Sequence, residues 1–135
     1  MLPKTHFLLG AIFSILIWPF IGANSLIVLV SSVLIDFDHY LMHVINHRDF
    51  SLKNAYNYLK EYPKEINIKN KEKLLCIFHT FEFFIFLWVL ALFSKYAFFM
   101  LLGSSFHLFL DILAFGNEAK SVSIIQHFLK KRKII

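Results

Sequence analysis

Cysteine is almost absent from this 135-residue chain, and Cys76 alone cannot form an intramolecular disulfide. A convincing cleavage site of small residues is also missing, because the first apolar run leads into WPFIGANS. We therefore expect that run to be retained. No segment repeats along the chain beyond an alternation of apolar and polar stretches. These absences exclude a disulfide framework, and the length predicts one domain.

Apolar residues are abundant instead. They make up 58% of the chain and include 17 phenylalanines, whereas soluble globular proteins average about 45–50%. This excess indicates a membrane protein. The formal net charge of +5 would also suit a nucleic-acid-binding protein. However, the basic residues lie between apolar runs, so the expected partner is a membrane surface and not nucleic acid.

Four apolar runs are each close to the roughly 20 residues that a helix needs to cross a bilayer. They cover residues 5–21, 25–45, 74–93 and 96–115. The short connections GAN and SKY join these runs in pairs. The sequence therefore predicts an all-α fold: a four-helix transmembrane bundle of two helical hairpins, forming a single integral membrane domain over residues 1–135.

Two polar stretches complete the chain, the linker 46–73 and the tail 116–135. Apolar residues of the linker recur at helical spacing, at Leu52, Ala55, Tyr56 and Leu59. Ser51 is the expected N-cap of this cytoplasmic amphipathic helix, and Pro63 is its expected end. In the tail, an apolar face is followed by KKRK, which predicts a basic amphipathic C-terminal helix on the membrane surface.

The distribution of positive charge predicts an orientation. All lysines and arginines except Lys95 fall in the N-terminal segment, the linker and the tail. By the positive-inside rule these regions face the cytoplasm. We therefore expect a multi-pass protein of the cell membrane with cytoplasmic N- and C-termini. Membrane lipids are its expected partners, and an oligomer remains open.

Ionisable residues interrupt the apolar runs, all in the cytoplasmic half of the predicted bundle. They are His6, Asp36, Asp38, His39, His43, His79, Glu82, His107 and Asp111. The HxxE of the third run and the HxxxD of the fourth each place both residues on one helix face. Asp38 would point away from Asp36 on a regular helix. Either the helix distorts there, or Asp38 has a supporting role.

Imidazoles and carboxylates from four helices at one depth predict a divalent metal site. Coordination would offset the cost of placing carboxylates in a bilayer. The expected metal is zinc, with manganese or iron as alternatives, and there are enough ligands for two ions. The predicted ligands are His6, Asp36, His39, His79, His107 and Asp111. Simpler interpretations stay open for single residues: His43 and His47 could lie among lipid headgroups, and His127 in solvent.

Four segments, THFLLG, IDFDH, FHTFE and GSSFHLFLD, resemble the prokaryotic membrane-bound metal-dependent hydrolase family of YdjM-like small membrane proteins. The resemblance covers most of the chain, and it implies a site built from the polar positions of these segments. Relatives often carry HRG-x-x-HS after the DxDH motif, whereas this chain has HRDFS at 47–51. The missing glycine and second histidine imply a divergent branch and leave His47 and Arg48 in question as site residues.

The expected function is a metal-dependent hydrolase at the cytoplasmic membrane face, acting on a phosphoester or a lipid-linked molecule. Asp38 or Glu82 would be the catalytic general base, and Arg48 would bind an anionic headgroup of the substrate. Two other classes stay open. One is an ion or metal transporter, or a metal-binding membrane protein without hydrolytic activity. The other is an interaction protein whose polar cluster only fixes helix packing.

Overall fold

The computed structural model describes residues 3–65 and 77–115, and all regular structure in these ranges is helical. The helices are α1 (Pro3–Ile21), α2 (Ser25–Leu34), α3 (Phe37–His47), α4 (Leu52–Glu65), α5 (Phe81–Ala91) and α6 (Lys95–Phe115). Two short 3-10 turns, Gly22–Asn24 and Ile77–His79, precede α2 and α5. The all-helical prediction is confirmed for this part of the chain. The predicted C-terminal helix lies outside the described residues.

Two helical stretches are long and apolar enough to cross a membrane, judged by length and composition alone: Lys4–His47 and Lys95–Ala114. α5 is also apolar but has only 11 residues. Large apolar side chains are exposed along these helices, for example Phe20 and Phe93, at 86% and 85%. In contrast, many of the buried side chains are serine, histidine and aspartate. The described part of the chain is therefore more apolar outside than inside.

The second predicted span is not one regular helix. α2 ends at Leu34 and α3 begins at Phe37. Between them, the amide of Asp36 donates to the carbonyl of Val33, and the amide of His39 donates to the carbonyl of Asp36. These bonds span three residues rather than four, so the chain is wound more tightly here than in an α-helix. Asp36 and Asp38 nevertheless both lie beside His79, in two different groups of metal-binding side chains.

The third helix begins later than residue 74, where the apolar run starts. His79 belongs to a 3-10 turn, and Thr80 has an extended backbone with φ −89° and ψ 150°. The Thr80 hydroxyl accepts a hydrogen bond from the amide of Phe83, which makes Thr80 the N-cap of α5. As a result, His79 and Glu82 do not share the face of one helix.

α4 corresponds to the predicted amphipathic linker helix. The Ser51 hydroxyl accepts a hydrogen bond from the amide of Asn54 at 3.3 Å, which confirms the predicted N-cap. The helix continues past Pro63 to Glu65, so the predicted end at Pro63 is wrong. α4 packs against α3, and the Lys4 ammonium of α1 lies 5.5 Å from the centre of the Tyr56 ring.

α2 is the central helix, in contact with both α1 and α6, while α5 packs on α6. Glycines allow the closest approaches. A Cβ atom at Gly103 of α6 would collide with the Ser31 hydroxyl and with the carbonyl oxygen of Val28 on α2. A Cβ atom at Gly10 of α1 would press on the Ser32 hydroxyl in the same way. Small residues thus let α1 and α6 lie directly on the backbone of α2.

We expect Gly103→Ala to destabilise the protein by about 1–3 kcal/mol, the usual cost of overpacking. The Val28 carbonyl belongs to the helix backbone and cannot rotate away, so α6 has to move. Thermal unfolding of the detergent-purified protein measures the effect. Ser105→Ala, on the exposed face of α6, is the matched control and should unfold like the wild type. An unchanged midpoint for Gly103→Ala would contradict the close contact.

Candidate metal centre

Polar side chains from five parts of the fold meet beside the break between α2 and α3. They are His6 of α1, Asp36 at the break, Asp38 of α3, His79 of the 3-10 turn, and His107 with Asp111 of α6. His6 and His107 are almost fully buried, at 1% and 0% exposure. The structure brings these six side chains together, although Asp36 and His79 lie outside the α-helices that the sequence predicts for them.

His107 is fixed by the backbone of α2. Its Nδ1 lies 2.6 Å from the carbonyl oxygen of Ser32. A carbonyl can only accept, so Nδ1 carries the proton, and Nε2 of the neutral ring has an available lone pair. The His6 ring stacks on the His107 ring, with centroids 3.8 Å apart. The position and tautomer of His107 are thus set by partners other than a ligand.

His79 is fixed in the same way by a carboxylate. Its Nδ1 lies 3.0 Å from Oδ2 of Asp38, and that oxygen also accepts a hydrogen bond from the amide of Phe78 at 3.1 Å. The other Asp38 oxygen lies 2.6 Å from Nδ1 of His39. Donation from His79 Nδ1 leaves its Nε2 with a lone pair. A carboxylate that orients a histidine through Nδ1 is the usual support of a metal-binding imidazole.

The two available nitrogens face each other. Nε2 of His79 and Nε2 of His107 are 3.3 Å apart. Oδ2 of Asp111 is 3.3 Å from the His107 nitrogen and 3.8 Å from the His79 nitrogen, and Oδ1 of Asp36 is 3.5 Å from the His107 nitrogen. Four acceptor atoms without a proton of their own therefore crowd one region. With both rings neutral these atoms repel each other, and either a metal cation among them or a second proton on one imidazole removes that repulsion.

The spacing suits a small divalent cation. Two ligands on one zinc ion, each at about 2.1 Å in tetrahedral geometry, lie roughly 3.4 Å apart. The nitrogen–nitrogen and nitrogen–oxygen separations given above, 3.3 to 3.8 Å, are close to that value. In addition, Oδ2 of Asp36 is buried without a hydrogen-bond partner among the described residues. The donor set of imidazoles and carboxylates suits zinc, iron or manganese.

Asp111 and His6 extend the cluster on one side. Nε2 of His6 lies 3.1 Å from Oδ1 of Asp111, while the other Asp111 oxygen faces His107. Three overlapping groups in the described residues have ligand atoms close enough to share an ion: His6, His107 and Asp111; Asp36, His79 and His107; and Asp38, His39 and His79. All six predicted metal ligands therefore appear in at least one group.

The other predicted site residues are placed differently. Asp38, predicted as a catalytic base, also belongs to one ligand group and accepts hydrogen bonds from two histidines. Glu82 lies half-buried in the first turn of α5 and is in none of the three groups of the described residues. Arg48 is exposed and ends α3.

Sequence reasoning missed the partner that orients His107. The Ser32 carbonyl is a backbone group 75 residues earlier in the chain, and no residue type signals it. The burial of His43, at 5% exposure, was also missed. The sequence does contain a pattern that indicates this burial: His43 follows His39 by four residues, so both lie on the same face of α3.

Comparisons of the chain with protein-family models, curated proteins and solved structures gave no significant match. The resemblance to membrane-bound metal-dependent hydrolases stays a prediction.

Proposed function

We propose that the protein is a membrane-embedded, metal-dependent hydrolase that acts on a phosphoester or a lipid-linked substrate at the cytoplasmic face. The membrane location is supported by the apolar exterior, the polar interior and the two stretches long enough to span a bilayer. Carboxylates and imidazoles inside such a bundle are costly unless they pair with one another or with a cation, and residues of this kind commonly mark functional sites.

The observation that carries the proposal is the 3.3 Å approach of the His79 and His107 Nε2 atoms, both turned inward by acceptors on their Nδ1 atoms. His79, His107, Asp36 and Asp111 are the proposed ligands, with His6 beside Asp111 and His39 beside Asp38. Zinc is the proposed metal, since imidazole and carboxylate ligands in a tetrahedral set suit it. When bound, such a cation lowers the pKa of a coordinated water and polarises a phosphoryl oxygen.

The residues around this donor set have distinct proposed roles. Asp38 orients His79 and raises the basicity of its Nε2 through the Nδ1 hydrogen bond. Glu82, half-buried at the start of α5, is the proposed general base that takes the proton of the attacking water. Arg48, exposed at the end of α3, is proposed to bind the anionic headgroup of the substrate.

The proposal is tested by assaying the purified chain in lipid nanodiscs with zinc or manganese, using a chromogenic phosphodiester, a phosphomonoester and a panel of phospholipids. We expect turnover that chelation abolishes and metal restores. Glu82→Gln should lower the rate by about 10²–10⁴-fold, the usual contribution of a general base, with metal content unchanged. A His107→Ala preparation made in parallel controls for contaminating hydrolases.

Three results would contradict hydrolysis by this chain. Bound metal without turnover on any substrate would indicate a metal-binding membrane protein. Metal uptake into proteoliposomes, again without turnover, would indicate a transporter. Turnover equal in the wild type and in His107→Ala would assign the activity to a contaminant.

The proposed orientation, with both termini and the linker in the cytoplasm, is tested by labelling with a membrane-impermeant maleimide. In a Cys76→Ser background, Lys95→Cys should react in intact spheroplasts, because it is the first residue of α6, next to the proposed external connection. Lys53→Cys, on the exposed side of α4, should react only after the membrane is permeabilised. The reverse pattern would place the positively charged regions outside.

A further inference from the structure

A second cluster of metal-binding side chain types lies at the end of α3, outside the three ligand groups. We propose that His43, His47 and Asp49 form an outer site for a divalent transition-metal ion. Its ligand atoms belong to the end of α3 and to the loop that leads into α4. The outer site is independent of the proposed hydrolytic centre and of its function.

His43 supplies the first observation. Only 5% of His43 is exposed, and neither ring nitrogen has a hydrogen-bond partner among the described residues. Burial of two polar nitrogens without hydrogen bonds costs free energy. Oδ2 of Asp49 lies 3.6 Å from Nε2 of His43. This distance is too long for a hydrogen bond and close to the roughly 3.4 Å between two ligands of one zinc ion.

Asp49 is held toward His43 by its neighbours. Its Oδ1 accepts a hydrogen bond from the amide of Ser51 at 2.8 Å, and its Oδ2 accepts one from the side-chain amide of Asn54 at 2.7 Å. Each carboxylate oxygen retains a lone pair. A carboxyl group with an ordinary pKa of about 3.9 is ionised at neutral pH. Asp49 therefore offers a charged oxygen at neutral pH.

The backbone turn that brings Asp49 back is strained. Arg48 has φ 52° and ψ 32°, the left-handed conformation that glycine or asparagine normally adopts at a helix end. A non-glycine residue costs on the order of 1–2 kcal/mol there. Such strained residues cluster at binding sites, where the surrounding structure holds them in place. In this chain the left-handed residue ends α3 immediately after His47 and turns the backbone, so that the Asp49 carboxylate lies beside His43.

His47 completes the set. It follows His43 by four residues, the spacing at which two histidines of one helix bind a shared zinc ion. The two rings are 4.9 Å apart, and both contact the Tyr58 ring of α4, at 5.4 and 4.8 Å. His47 is exposed, so its ring can turn toward the His43 and Asp49 atoms when an ion is bound. Two imidazoles and one carboxylate leave a further position for water.

The inference is tested by equilibrium dialysis of the full chain in detergent against buffered zinc, with bound metal measured by elemental analysis. The wild type should bind one more equivalent than His47→Ala. The zinc affinity of the outer site should fall by roughly 100-fold or more in His47→Ala, so the site stays empty at zinc concentrations that fill it in the wild type. Loss of a residue that only hydrogen-bonds to a ligand already lowers metal affinity by about 10–100-fold. His43→Gln should show the same loss. Asn46→Ala, the exposed neighbour on α3, should match the wild type.

The possible results distinguish a failure of the outer site from a failure of the proposed hydrolytic metal centre. If His47→Ala and Asn46→Ala both bind zinc like the wild type, while His107→Ala loses its equivalent, the outer site is wrong and the centre stands. If His47→Ala loses an equivalent and His107→Ala loses none, the outer site stands and the centre is wrong. Loss of one separate equivalent in each variant supports both.

Discussion

His107→Ala is expected to remove the metal from the centre and to abolish hydrolysis. The imidazole contributes its Nε2 to a set that includes His79 at 3.3 Å and Asp111 at 3.3 Å. Its removal takes away one of the three imidazoles, those of His6, His79 and His107, that lie beside the Asp36 and Asp111 carboxylates. Removal of one partner from a buried charged cluster is strongly destabilising, typically by about 3–5 kcal/mol. We therefore also expect a lower unfolding midpoint for the metal-free wild type than for the metal-bound one, because binding stabilises the folded state.

Metal content and thermal unfolding of two His107 variants check this prediction. Elemental analysis of the purified variant should give at least one fewer equivalent of metal per chain than the wild type. His107→Gln keeps much of the side-chain volume, so it separates loss of a ligand from loss of packing. It should unfold like the metal-free wild type and should not take up the metal. Ser105→Ala, two residues earlier and exposed on α6, is the surface control. Unchanged metal content in both His107 variants would show that His107 is not a ligand.

Asp38→Asn is expected to weaken metal binding by about 10–100-fold without removing any ligand of the metal. The carboxylate now accepts from Nδ1 of His79 and from Nδ1 of His39 through different oxygens. An amide in its place has one acceptor atom and no negative charge, so at least one of these two donors loses its acceptor. The basicity of the His79 Nε2 atom then falls, and its ring is held less firmly. Metal affinity measured by competition with a chelator gives the effect.

The matched control is Tyr40→Phe on the same helix. The Tyr40 hydroxyl donates to the carbonyl of Phe50 at 2.9 Å, so the variant loses one hydrogen bond of α3 outside the ligand groups. It should bind metal like the wild type. Equal affinity in Asp38→Asn and the wild type would rule out Asp38 as an orienting residue. A normal affinity combined with a rate lowered 100-fold or more would instead support Asp38 as the general base.

The sequence predicts the helices well where apolar runs decide them. α1 and α6, at Pro3–Ile21 and Lys95–Phe115, match the first and fourth runs closely. The N-cap at Ser51 is also predictable, because it depends on side chains only three residues apart. Local signals fail at Asp36 and at Thr80, where hydrogen bonds specific to this fold interrupt helices that the apolar pattern continues.

The chemical make-up of the site is predictable, but its geometry is not. Ionisable residues stand out in apolar runs, so His107 and Asp111 are candidates from the sequence alone. Which nitrogen faces the centre depends on the Ser32 carbonyl, and on how closely Gly103 lets α6 approach α2. Both depend on packing between helices distant in sequence. The same holds for Asp38, which accepts hydrogen bonds from His79 and from the Phe78 amide about 40 residues later in the chain.

X-ray absorption at the zinc edge tests the central claim most directly, because it reports the atoms bound to the metal. The sample is the His47→Ala variant loaded with one equivalent of zinc, so that the outer site does not contribute. We expect a first shell of nitrogen and oxygen alone at about 2.0–2.2 Å, with the outer-shell scattering of at least two imidazoles. A sulfur shell near 2.3 Å from Cys76, zinc surrounded by water alone, or a variant that binds no zinc would contradict a centre built from these histidines and aspartates.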